Sequence, residues 1–315
     1  MANPDNFQSY RPLLFAIAYR MLGSASEADD VLQDAYLRYA TAQAQEGGRP
    51  AEIRSLKAYL STIVTRLCLD RLKAARSARE QYLGPWLPEP VLLQEDTSDP
   101  QDDAERHESI TIAFLLLLEA LAPQERAVFL LREVFEYEYA EIGQMLGLSA
   151  ANGRQIFHRA KEHIAERRPR FRPTPERQRE LVSRFLAATQ RGDVQELANV
   201  LAQDVKFIAD GGGKVAAARR PVHGRELVTK IVVKLAENAH RAVHAAEHEL
   251  RLAVADVNGE PAVLFWVRDR LDTVFIFALD DERITTIHAI RNPDKLVYIQ
   301  RQLWAWGAGG PAPAA

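Results

Sequence analysis

Near the start of the chain, apolar side chains recur at helical spacing. Leu13, Leu14, Ala16, Ile17, Met21 and Leu22 share a stripe, and Gly23 ends the run. Ser26 suits the next N-cap, with Asp29 as its acidic capping partner. Val31, Leu32, Ala35, Tyr36 and Tyr39 then form one apolar face, while Asp30, Gln33 and Asp34 fall on a polar one. Beyond a Gly-Gly-Arg-Pro loop at residues 47–50, Leu60, Ile63, Val64, Leu67 and Leu72 mark the core side of a helix from about Ile53 to Ala78. Ile110 to Leu121 is strongly apolar, and Pro123 suits the first turn of a helix running to Phe135. A short helix from Tyr139, Gly147 in a turn and Ser149 as the cap of a basic helix to about Arg168 make a helix-turn-helix pattern. Past Pro173 the period changes. Helices are predicted over Glu176–Gln190, ended by Gly192, and over Glu226–Ala242. Strands are predicted over Val205–Ala209, from Glu247 onward, and over Ala262–Val267, Thr273–Ala278 and Ile284–Ile290. Helices followed by an antiparallel meander imply a separate α+β domain.

At 315 residues the chain exceeds the usual single-domain size. The pattern divides it into helices over 1–79, an acidic Pro-rich linker over 80–105, a helix-turn-helix domain over 106–172, an α+β domain over 173–300 and a disordered tail over 301–315. The single cysteine, Cys68, permits no internal disulfide and no Cys-based zinc site, which favours a reducing compartment. No apolar run reaches the roughly 20 residues of a membrane span, and the first residues lack the layout of a signal peptide. The expectation is a cytoplasmic protein with no membrane partner.

The net charge of −3 hides an asymmetry. Residues 49–79 carry eight Lys/Arg against two acids, and residues 149–172 carry seven against two. Between them, residues 80–108 hold nine acids and one base. The second basic block coincides with the second helix of the turn motif. There Asn152 and Gln155 suit adenine edges and Arg154 a guanine edge, with His158, Arg159 and Lys161 alongside and Ile156 and Phe157 on the core side. The first block places Arg66, Arg71, Lys73, Arg76 and Arg79 on one continuous helix that suits the phosphates of melted strands. In the acidic linker, Trp86-Leu87-Pro88-Glu89-Pro90 is an apolar anchor in a segment otherwise suited to water.

Two spellings are rejected. Asp210-Gly211-Gly212-Gly213-Lys214 lacks the spacing and the following Ser/Thr of a phosphate loop. His244, Glu247 and His248 fit H-x-x-E-H, but the segment leads straight into strand-like alternation with no third ligand evident. No metal site, cofactor or catalytic residue is expected.

The segments Tyr10–Leu22, Ala28–Ala35 and Tyr59–Leu72 resemble sigma region 2, and Leu121–Arg126 through Lys161 resembles sigma region 4. Together they resemble an extracytoplasmic-function bacterial RNA polymerase sigma factor. The Trp86 motif, Asp210–Lys214 and Asn292-Pro293-Asp294-Lys295-Leu296 resemble the subgroup with a fused SnoaL-like domain of the nuclear-transport-factor-like cone fold. The resemblance implies two all-α sigma domains plus an α+β cone. It implies core RNA polymerase and promoter DNA as partners. Asp29, Asp30, Gln33 and Asp34 match the helix that docks on the polymerase clamp, Leu56–Arg79 the −10 segment, and residues 149–162 the −35 recognition helix. The apolar surface near Leu130, Leu131 and Phe135 matches the one that meets the polymerase flap, with core packing the alternative use of each residue alone. The Trp86, Asp210–Lys214 and Asn292–Leu296 segments are expected to meet and to regulate the sigma domains. Phe207, Phe265, Trp266 and Phe275 suit an apolar cone able to hold a small ligand. Two rival readings are a small-molecule enzyme or ligand sensor with an appended DNA-binding module, marked by turnover, and a dimeric repressor, which binds duplex DNA without polymerase.

Overall fold

The computed structural model describes residues 4–45, 55–92, 110–165, 173–244, 250–280 and 282–306. The chain forms two compact units: Met1–Glu80 with Phe114–Arg168, and Gln81–Ala113 with Pro169–Ala315. The segment expected as a linker therefore clusters, from Gln81, with the C-terminal residues. Its acidic stretch over 93–109, residues 307–315 of the expected tail and Glu247 and His248 of the rejected metal spelling lie outside the described residues; the first residues of that expected disordered tail, 301–305, are instead the last turn of the helix Pro293–Ala305.

The first unit is helical: α1 (Pro4–Leu22), α2 (Ala25–Gln45), α3 (Leu56–Glu80), α4 (Ile112–Glu119), α5 (Pro123–Phe129), α6 (Tyr139–Leu146) and α7 (Ala150–Ala165). The stripes read from the sequence are its core. Leu14, Ile17, Val31, Leu60 and Val64 are at most 1% exposed, and each such side chain contributes about 1.5–3 kcal/mol by leaving water. The cap of α2 differs from the expected Ser26: Ser24 Oγ accepts the Glu27 N–H at 3.1 Å. The helix from Pro123 also ends early. A π-type turn over Leu130–Val134 follows, and Glu136 takes a positive φ of 57°.

Polar contacts join α1 and α3 to the later helices. The Arg126 guanidinium, 3% exposed, donates to the Met21 carbonyl at 2.6 Å and the Glu119 carboxylate at 3.1 Å. Burial lowers its pKa to about 10. Ser61 and Tyr137 share a buried hydroxyl pair at 2.8 Å.

The second unit is α+β, as expected. It comprises α8 (Pro175–Arg191), α9 (Val194–Val200), β1 (Leu201–Asp210), β2 (Val222–His223), α10 (Arg225–His244), β3 (Leu250–Val257), β4 (Glu260–Val267), β5 (Arg270–Leu279), β6 (Ile284–Ile290) and α11 (Pro293–Ala305). The sheet order is β2-β1-β6-β5-β4-β3. β3 to β6 form the expected meander, but β1 pairs with β6 in parallel, so the sheet is mixed. Phe207, Ala209, Val263, Phe277, Ile287 and Ala289 face α8 to α10 in one core, where Phe185 meets Phe277 edge-on at 5.2 Å. Alternation along the strands sends Asp210, Ile276, His288 and Ile290 to the opposite face, and α11 packs against β5.

His288 is fully buried with no partner for Nδ1, and burial lowers its pKa to about 4. An unfolded chain takes up that proton near pH 6.5. The folded chain resists until about pH 4. Above about pH 6.5 the contribution is constant. As pH falls from about 6.5 toward about 4, stability drops by about 1.4 kcal/mol per pH unit from this group. Urea unfolding of the full chain across this range should show the loss, and His288→Leu should flatten it. An unchanged profile in the variant would mean that the ring protonates freely in the fold.

Candidate nucleic-acid interface and a buried clamp

The helix-turn-helix is built on two glycines. Gly147 takes the left-handed conformation, φ 71°, that closes α6. Gly143 lies inside α6, where an added Cβ would stand 2.5 Å from the Leu148 carbonyl oxygen, so only glycine lets the turn pack so closely. Ser149 Oγ then accepts the Asn152 N–H at 3.1 Å and caps α7. On α7, Gly153, Ile156, Phe157, Ala160 and Ile164 are buried. Asn152, Arg154, Gln155, His158, Arg159 and Lys161 are exposed together on its outer side. Lys161 pairs with Glu133 at 3.2 Å, and Arg154 lies over the Tyr139 ring.

The basic residues of α3 have structural partners. Arg66 donates to the Met145 carbonyl at 2.8 Å and the Gln144 carbonyl at 3.4 Å, which ties α3 to the C-terminal end of α6. Arg71 donates to the Glu27 carbonyl at 3.1 Å and pairs with Asp34 at 2.9 Å and Asp30 at 3.7 Å. Lys73 is exposed near Asp70. Arg76 and Arg79 lie on α3, with side chains outside the described set. On α2, Asp30 and Gln33 are exposed, and Asp29 pairs with Arg11 at 2.8 Å. Such exposed pairs contribute about 1 kcal/mol or less each. Leu130 and Leu131 are fully buried core residues, and Phe135 is half-buried beneath the Arg20 guanidinium.

In the second unit, the three segments singled out in the sequence meet around Asp210. Its carboxylate is fully buried and accepts four hydrogen bonds. Oδ1 takes the Tyr82 hydroxyl at 2.6 Å and the Gly212 N–H at 3.0 Å. Oδ2 takes the Leu87 N–H at 2.8 Å and the Lys295 ammonium at 2.7 Å. Lys295 also donates to the Leu87 carbonyl and lies 4.2 Å from the Trp86 ring centroid and 5.0 Å from that of Tyr82. Burial and the Asp210 carboxylate hold the Tyr82 phenol well above its ordinary pKa. The Asp210 carbonyl accepts the N–H groups of Arg291 and Asn292, both at 2.8 Å.

The glycines beside Asp210 are required by the same packing. Gly212 and Gly213 have φ of 59° and 72°. A Cβ on Gly212 would strike the Asn292 amide, and one on Gly213 would come 2.8 Å from Leu83. A Cβ on Gly211 would meet the Val215 carbonyl at 2.6 Å. Lys214 pairs with Asp294 at 2.5 Å. Asn292 caps α11, Pro293 opens it, and Leu296 is buried. Further along, Asn258 and Val91 exchange hydrogen bonds, and the Gln302 amide does the same with the Leu92 backbone. Residues 82–92 thus form a strap fastened to β1, α11 and the β3–β4 turn.

The sequence matches the sigma-70 region 2 family over residues 7–78 and the sigma-70 region 4 family over residues 111–164. It is 31% identical over 295 residues to the ECF RNA polymerase sigma factor SigJ of Mycobacterium tuberculosis (strain ATCC 25618 / H37Rv), covering 92% of each protein. The chain belongs to the extracytoplasmic-function sigma factors. A probable ECF sigma factor, SigI, from the same species is 29% identical, with 94% of this chain and 96% of that protein covered. The crystal structure of M. tuberculosis SigJ matches with a TM-score of 0.71 at 29% identity, over 94% of this chain and 99% of that one. Extracytoplasmic-function sigma factors are non-enzymatic initiation factors that bind core RNA polymerase and promoter DNA. In this sigma factor, α1 to α3 are region 2 and α4 to α7 region 4.

Sequence reading missed several residues of these sites. Gly143 carried a signal, a glycine inside an amphipathic helix. Arg126, Asn258 and Tyr82 carried none, because their roles come from partners remote in sequence. Among the described residues there is no metal-binding group of three or more His, Cys, Asp or Glu, and no helix long and apolar enough to cross a membrane.

Removing one member of a buried pair strands the other charge, at a cost of about 3–5 kcal/mol. Lys295→Met and Asp210→Asn should each destabilise the full chain strongly in urea unfolding. The double variant should cost less than the sum of the two. Additive losses would show that the two groups do not depend on one another.

Proposed function

We propose that this sigma factor reads its promoter with α3 at the −10 element and α7 at the −35 element. In the same reading, Asp29, Asp30, Gln33 and Asp34 dock on the polymerase clamp, and the C-terminal unit controls initiation through the strap. The observation that carries the regulatory part is the buried Asp210–Lys295 pair, with side chains 0% and 8% exposed, which fastens the Trp86 segment to the C-terminal unit. A domain that holds part of the connection between regions 2 and 4 restricts how far the two can separate, and its release shifts a population. The exposed row of Asn152, Arg154, Gln155, His158 and Arg159 on α7 supports the DNA-reading part. Arg66 and Arg71 make their present contacts within the first unit, so each must exchange carbonyls or carboxylates for phosphates on binding. The protein works in the cytoplasm, where polymerase and promoters are. A small ligand of the C-terminal unit would bind on the inner face of the sheet, where Phe265 and Phe275 are partly exposed beside the buried Phe207; Trp266, adjacent to Phe265 on β4, faces the other way.

In-vitro transcription with core polymerase tests this directly. Deleting residues after about Asn292 removes α11 and with it Lys295 and Gln302, which should free the strap and raise activity. Trp86→Ala should do so in part. Deleting everything after Pro173 removes β1 and α11, the partners of the strap, and leaves the strap itself, so it need not behave like the short deletion. Equal activity of the full chain, both truncations and Trp86→Ala would make the C-terminal unit a passenger.

The interface assignments have their own outcomes. Asp30→Arg should abolish transcription with the fold intact, since it adds repulsion to a lost attraction. Asp34→Arg is less clean because it breaks the closer of the two Arg71 pairs, 2.9 Å against 3.7 Å for Asp30. Arg154→Ala and Gln155→Ala should each cost about 1–3 kcal/mol at one −35 base. Normal core-polymerase affinity for Asp30→Arg would remove α2 as the docking helix.

A further inference from the structure

Tyr139 opens α6, and its ring faces the recognition helix. The guanidinium carbons of Arg132 and Arg154 lie 5.1 and 5.4 Å from its centroid. Arg132 is tied back by hydrogen bonds to the Tyr137 carbonyl at 3.1 Å and to Glu138 at 2.9 Å. The ring itself is braced edge-on by the buried Phe157, with centroids 6.0 Å apart at 74°. It also stands close to α7: a Cβ on Gly153 would lie 3.7 Å from Tyr139 Cδ1. Arg154 is exposed, and among the described residues the Tyr139 ring is its partner.

A guanidinium held against a ring face keeps its N–H edge free. That edge is what forks onto the N7 and O6 of a guanine in the major groove. An arginine already held in one orientation also loses less freedom when it docks. We propose that Tyr139 is a positioning residue for promoter readout, pre-orienting Arg154 for a single base. The proposal rests on the reading of α7 as the −35 helix. It predicts that the aromatic face matters and the Tyr139 hydroxyl does not.

The test is holoenzyme binding to a panel of promoters carrying single-base changes across the −35 element, for Arg154→Ala, Tyr139→Phe, Tyr139→Leu and the Arg154→Ala/Tyr139→Leu double variant. Thermal unfolding is followed alongside. Tyr139→Phe should match the parent. Tyr139→Leu should lose about 2–5-fold in discrimination, at the base where Arg154→Ala relaxes it and nowhere else. In the Arg154→Ala background it should change nothing further. Should Tyr139→Leu fail to fold, Tyr139→Met keeps bulk against Phe157 without a ring and takes its place. Uniform weakening across the panel or additive losses in the double variant would make Tyr139 a packing residue only, and an equal loss with Tyr139→Phe would assign the effect to its hydroxyl and overturn the role of the ring face. An unchanged panel for Arg154→Ala overturns the recognition-helix reading itself. A changed panel for Arg154→Ala with an unchanged one for Tyr139→Leu overturns the positioning role alone.

Discussion

A carboxylate with no exposure to water must have its charge and lone pairs satisfied inside the protein, and Asp210 meets that demand with groups from two distant segments and from its own loop. Leu87 and Tyr82 come from the strap, Gly212 from the loop that follows Asp210, and Lys295 from α11. None of these elements can leave without stranding a buried charge. The three conspicuous sequence motifs are therefore one site. The glycines give the loop its left-handed turns and its clearance for Asn292 and Leu83. Asn292 and Pro293 start the helix that delivers Lys295, and Trp86 covers its ammonium. The consequence for function is topological. Part of the segment that joins regions 2 and 4 is structurally a piece of the C-terminal domain.

The first unit follows a different rule. Its apolar core is buried outright, but the cations of α3 and α7 engage exchangeable partners: helix-end carbonyls for Arg66, exposed carboxylates for Arg71 and Lys161, and an aromatic face for Arg154. Exposed contacts of this kind orient a side chain without preventing it from exchanging partners. A buried pair such as Asp210–Lys295 cannot be exchanged in that way. The molecule therefore places its permanent contacts in the strap and its replaceable ones along the outer sides of α3 and α7.

The helices of regions 2 and 4, the turn at Gly147, the cap at Ser149 and the meander from β3 to β6 were legible because each is written in local periodicity or capping chemistry. What escaped was set by tertiary partners. The parallel pairing of β1 with β6 joins segments separated by most of the domain. β2 is only two residues long, and α9 only seven. Helix α11 had a readable start at Asn292 and Pro293, but those residues were read only as a motif. The choice of Ser24 over Ser26 as a cap turned on where α2 begins, a boundary that periodicity fixes poorly. The buried role of Arg126 runs against what charge alone suggests. Trp86 stands out by composition and its ring covers Lys295, but the hydrogen bonds of Val91 and Leu92 to Asn258 and Gln302 left no trace in composition.

The central claim is that the strap is part of the folded C-terminal domain. Residue-resolved amide hydrogen exchange at Leu87, in the free full-length protein, tests it most directly, because its N–H is the one given to the Asp210 carboxylate. Leu87 should exchange as slowly as the central amides of β1, opening only with the domain. Exchange at the rate of an open loop while β1 stays protected would contradict it.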